Sequence, residues 1–63
     1  MALTLKAARV NAKKTQEEVG AFVGKSKVTI RSYESYKSKP DVETAQKIAE
    51  FYGMSVDDII WSE

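Results

Sequence analysis

The sequence predicts an all-α fold, a compact domain of five helices. Three observations carry that prediction. Side chains suited to helix capping recur along the chain, glycine or proline follows most of the intervening runs, and no apolar–polar alternation with hairpin turns appears. The last point leaves strands unexpected.

Thr4 caps a first helix that runs to about Ala12, with Leu5, Ala8 and Ala12 on one face. Thr15 and Glu18 form a capping box, in which hydroxyl and carboxylate each accept a backbone N–H from the other residue. The second helix then runs to about Val23, and Gly24 stands where a left-handed residue stops it. Ser26 caps a third helix from Lys27 to about Ser35, with Ile30 and Tyr33 facing inward, and Pro40 bars its continuation. Asp41 caps the fourth, whose apolar stripe is Val42, Ala45, Ile48, Ala49 and Tyr52, and Gly53 ends it. Ser55 with Asp58 caps a short fifth helix carrying Val56, Ile59 and Ile60.

The chain has 63 residues, so it is expected to form a single domain over 1–63. A domain of that size buries only about 60% of its unfolded surface, which demands a small core and a simple topology. With 43% hydrophobic and 30% charged residues it is neither a disordered tail nor a membrane protein, and no apolar run is long enough to span a bilayer. The absence of Cys and His removes thiolate and imidazole chemistry, including the usual metal ligands. Asp and Glu fall at caps and on exposed faces, with no pair set to perturb its ionisation in a cleft. No enzyme, no metal and no cofactor are therefore expected. A small-molecule ligand is not expected either, because so small a domain leaves little room for a pocket of about 300 Å³.

The formal net charge of +1 conceals a division. Residues 1–39 carry nine basic side chains against Glu17, Glu18 and Glu34, a net +6, whereas residues 40–63 carry Lys47 against six acidic ones, a net −5. Such a charge dipole suits one surface to a polyanion and keeps the other away from it.

Only about three residues join the second helix to the third, so the two are held at a steep angle, a helix-turn-helix over about 16–35. Gly20 stands where they cross, and its lack of a side chain allows close approach. With Ile30 and Tyr33 inward, the opposite face of the third helix holds Lys27, Val28, Arg31, Ser32 and Ser35. Lys27 and Arg31 can donate to guanine O6 and N7, Val28 can pack on a thymine methyl, and Ser32 is short enough for close approach. Lys25, Ser26, Thr29, Lys37 and Lys39 lie near the helix ends or in the following loop, where phosphates would position the protein without specifying sequence.

The run TQEEVGAFVGKSKVTIRSYE (15–34), followed by KSKPDVETAQKIAEFYGMSVDDII (37–60), resembles the Cro/repressor type of helix-turn-helix, also called XRE-like. The similarity covers about Leu5 to Ile60, nearly the whole chain. It implies a lambda-repressor-like domain of five helices whose third helix enters the DNA major groove, two copies acting on a dyad-symmetric operator. It implies a cytoplasmic transcriptional regulator, prokaryotic or phage-encoded, acting at the nucleoid. It further implies that Gln16 binds a phosphate at the start of the second helix, and that Arg9 pairs with Glu34. That pair either orients the recognition helix or acts as a partly buried staple with no role toward DNA.

Four positions depart from the family habit. Lys14 and Lys25 stand where apolar residues are usual, Gly20 replaces a commoner Ala, and Ser35-Tyr36 replaces Asn-Gly. A non-glycine residue at a left-handed position costs about 1–2 kcal/mol, so a rebuilt 35–39 loop is expected. Tyr36 and Phe22 are expected at the surface, and Trp61 either anchors a partner or covers apolar neighbours. These departures sustain an alternative, a helix-turn-helix fold repurposed to bind protein as an antirepressor or assembly module.

Overall fold

A computed structural model describes residues 2–63; Met1, where the expected domain begins, lies outside them. The architecture is all-α, with four α-helices: α1 (Leu5–Asn11), α2 (Gln16–Val23), α3 (Lys27–Glu34) and α4 (Val42–Phe51). The fifth helix is not formed. Ser55 and Asp58 make their capping box, but it opens only a 3₁₀ turn at Val56–Asp58. The chain then extends, and β2 (Ile59–Ile60) pairs in parallel with β1 (Leu3–Thr4), Leu3 opposite Ile59. Burial of Ile59 against the core accompanies that pairing, so the strands, unexpected from sequence, tie the two ends of the described chain together.

Each helix opens on a capping side chain. Thr4 accepts from the Ala7 N–H, Thr15 and Glu18 exchange bonds of 3.0 and 2.8 Å, Ser26 accepts from Thr29, and Asp41 from Thr44. Donation by Thr15 holds the Glu18 carboxyl below its usual range, and donation by Thr44 does the same for Asp41.

The four helices also end alike. Lys13, Gly24, Tyr36 and Gly53 adopt left-handed φ of 59°, 74°, 61° and 70°. In each case the next amide reaches back five residues: Lys14 to Arg9, Lys25 to Gly20, Lys37 to Ser32, and Met54 to Ala49. The 35–39 loop is thus not rebuilt. Tyr36 takes the strained conformation itself, and its side chain supplies compensating contacts. The phenol accepts from the Leu5 N–H at 3.3 Å and donates to the Ile60 carbonyl at 2.9 Å, while the residue packs on the core. Tyr36 is therefore half-buried, contrary to the exposure expected of it.

The core joins Leu5 and Ala8 of α1, Val19 of α2, Ile30 and Tyr33 of α3, and Ile48, Ala49 and Tyr52 from α4 and its end, with Ile59 closing one side. Val42 does not belong to it. As the first residue of α4 it projects past the packed part of the helix and is 74% exposed. Phe22 is 49% exposed, yet its ring stacks on Phe51 at 4.4 Å, and the Lys14 ammonium lies 4.6 Å from the centre of the Phe51 ring. The face of the Phe51 ring thus gives Lys14 a favourable partner.

α2 and α3 meet most closely at Gly20. A Cβ there would lie 2.5 Å from the Lys25 carbonyl oxygen, a backbone atom that cannot swing aside. Gly20→Ala gains about 0.5–1 kcal/mol of helix propensity and loses more through overpacking, about 1–3 kcal/mol. We expect a net destabilisation of about 1 kcal/mol, read as a lower urea midpoint at unchanged slope; a rise in midpoint would contradict the close approach.

Candidate nucleic-acid interface

The outer face of α3 follows directly from its packing. Burial of Ile30 and Tyr33 turns Lys27, Val28 and Arg31 outward, and Val28 is 72% exposed despite its apolar side chain. A concavity of about 400 Å³ brings Val28, Arg31 and Ser32 together with Ser35 and Lys37. Three of the four expected base-contacting residues therefore share one surface with one expected phosphate-contacting residue. Ser32 is the least free of them, half-buried and accepting from the Ser38 hydroxyl at 3.0 Å. Lys27 lies to one side, its ammonium 4.0 Å from the exposed Glu17 carboxylate.

The remaining expected contacts are dispersed. Ser26 and Thr29 face each other, their hydroxyls 3.1 Å apart at the start of α3. Lys25, in the turn, is exposed and lies close enough to Asp41 to favour its ionised form. Lys39 is not on the α3 face. It borders a separate groove of about 440 Å³ with Pro40, Val42, Ala45, Val56, Asp57 and Trp61. That groove corrects the size argument against a small-molecule ligand: ending the last helix after one 3₁₀ turn leaves an open trough beside α4 larger than the volume thought unavailable. Trp61 forms one of its walls, packed on the core and donating its indole N–H to the Val56 carbonyl at 3.0 Å.

Beneath the α3 face lies a polar hub. Arg9 approaches Glu34 in a two-pronged contact, Nε to Oε2 at 2.6 Å and the second guanidinium nitrogen to Oε1 at 3.3 Å. The side chains are 14% and 5% exposed. The third Arg9 nitrogen donates to the Lys14 carbonyl at 2.9 Å, just beyond the end of α1. Hydrogen bonding to Glu34 holds the Arg9 guanidinium even more firmly protonated than usual. Gln16 joins the hub, its amide nitrogen donating to Glu34 Oε1 at 3.0 Å. The Tyr52 hydroxyl is buried and has no hydrogen-bond partner among the described residues, and burial, reinforced by the Glu34 carboxylate, pushes its phenol up.

Lys6 is the residue that sequence reasoning missed. It lines a depression of about 230 Å³ with Gln16, Arg31, Glu34 and Ser35, and so adjoins the α3 concavity through Arg31 and Ser35. The signal was present: Lys6 precedes Arg9 by three residues, which sets both on one side of α1, the side Arg9 turns to Glu34 of α3. Among the described residues no group of acidic side chains is placed to hold a metal ion, and no helix is long and apolar enough to cross a membrane.

This geometry can be set beside known proteins. A family model described as helix-turn-helix matches residues 5–59. The cryptic phage CTXphi transcriptional repressor RstR of Vibrio cholerae is 36% identical over 52 residues, which cover 82% of this chain and 47% of that protein. The chain thus spans about half the length of this curated relative. No solved structure matches it significantly.

Proposed function

The chain belongs to the helix-turn-helix family, and on that premise we propose that it is a transcription regulator of repressor character that binds double-stranded DNA sequence-specifically. The working unit is one domain over 1–63, with α3 entering the major groove and two copies acting on a dyad-symmetric operator in the cytoplasm of a bacterial or phage-infected cell. One observation carries the reading: Val28, Arg31, Ser32 and Lys37 converge on the outer face of α3, next to the depression that holds Lys6 and Gln16. Arg31 supplies the guanine-type contact, Val28 the methyl contact, and Lys37 a phosphate contact that fixes register. Lys27, Lys25, Ser26, Thr29 and Lys39 extend the backbone footprint beyond it.

The groove bordered by Val42 and Trp61 is the surface we assign to pairing of two copies. Its lining includes Val42, Val56 and Trp61, apolar side chains that a second copy would cover. The protein-binding alternative keeps one of its two motives: Tyr36 holds the left-handed geometry, whereas Phe22, although stacked on Phe51, remains 49% exposed.

Titration of a labelled duplex between 50 and 200 mM salt tests this reading. The logarithm of affinity should fall linearly with the logarithm of salt, by about 0.9 for each phosphate contacted. Binding insensitive to salt would contradict it.

A further inference from the structure

We propose that Lys6, on α1 and thus outside the helix-turn-helix proper, adds a charged contact to the DNA backbone phosphate expected at Gln16, the first residue of α2, so that the two share one seat. The inference rests on the DNA-binding reading above and adds a contact to it. The seat is the depression of about 230 Å³ bounded by Lys6, Gln16, Arg31, Glu34 and Ser35.

Its chemistry favours an anion. Lys6 and Arg31 are both exposed, and among the described residues neither belongs to a salt bridge. The one carboxylate, Glu34, is committed elsewhere: it accepts two N–H groups from Arg9 and one from Gln16, and its side chain is 5% exposed. Its charge is matched by Arg9 and does not confront an incoming phosphate as a free carboxylate would.

Gln16 gains from the same contact. One amide N–H is tied to Glu34, which fixes the orientation of the amide and leaves the second N–H for a ligand. The Ser35 hydroxyl is not a donor to the seat, since it donates to the Ser32 carbonyl. Lys6 therefore provides the charge and Gln16 the directed hydrogen bond. Arg31 lends its field from the shared wall and stays with the base-facing concavity.

The test compares Lys6→Gln and Lys6→Arg with Lys47→Gln, a change of equal charge on the outside of α4. Affinity for a labelled duplex is measured from 50 to 200 mM salt. Lys6→Gln should lower the salt slope by about 0.9 and weaken an arbitrary duplex as much as a preferred one. Lys6→Arg should restore the slope, and Lys47→Gln should change it far less. All three should melt at the wild-type temperature. A Lys6→Gln slope no different from that of Lys47→Gln overturns the seat alone. A wild-type protein without salt-sensitive duplex binding overturns the seat and the DNA-binding reading together.

Discussion

Arg9→Ala should destabilise the protein by about 3 kcal/mol, the lower end of what breaking a buried ion pair costs. The substitution removes both prongs of the contact with Glu34 and the bond to the Lys14 carbonyl, and leaves Gln16 as the sole hydrogen-bond donor to a carboxylate only 5% exposed. Arg9 is itself 14% exposed, so solvent reaches the edge of the site and the cost stays below the upper figures. A core this small supplies about 3–5 kcal/mol in total, and the variant should be substantially unfolded at 25 °C in mild urea. The double replacement Arg9→Met with Glu34→Leu should recover most of the loss, because the larger part of it is the desolvation of an unpaired charge. Urea melts of Arg9→Ala and of the double variant measure this directly. An Arg9→Ala cost under about 1 kcal/mol would mean that the pair behaves as an exposed one.

The second large effect is expected on DNA. Arg31→Ala should cost about 1–3 kcal/mol on the preferred site, a loss of roughly 5- to 150-fold, and should relax preference at one base pair. Arg31 borders both depressions of the interface and is exposed with no salt-bridge partner among the described residues. Its planar guanidinium matches the O6 and N7 acceptors of guanine with two parallel donors, which an ammonium cannot do. Arg31→Lys should therefore restore affinity for arbitrary duplexes without restoring the lost discrimination. Competition assays with single-base operator variants separate the two effects. Equal loss on every duplex would assign Arg31 to the backbone instead of to a base.

What could be read in advance divides by the range of the interaction. Caps at Thr4, Thr15, Ser26 and Asp41, and the left-handed stops at Gly24 and Gly53, are decided within a few residues, and the structure bears them out. The expected last helix fails where a local signal meets a distant contact. The Ser55–Asp58 box specifies a start but not a length, and the pairing of Ile59–Ile60 with Leu3–Thr4 is a contact across the whole chain that no local pattern encodes. Val42 fits the stripe of α4 in spacing, yet it sits at the helix end on the wall of an open groove and is 74% exposed. Tyr36 looked like a mismatch because its cost is local, a positive φ, while its compensation comes from Leu5 and Ile60, far along the chain. The α3 face was legible from Ile30 and Tyr33 alone. Lys6 was legible only in part: its spacing from Arg9 sets it on one side of α1, but its place beside Arg31 depends on how α1 lies against α3.

The central claim is sequence-specific recognition by the outer face of α3, and selection of bound duplexes from a random pool tests it most directly. The account predicts enrichment of a palindrome whose half-sites lie about one helical turn apart, with a preferred guanine that disappears when the selection is repeated with Arg31→Ala. A recovered pool with no consensus beyond the input would contradict it.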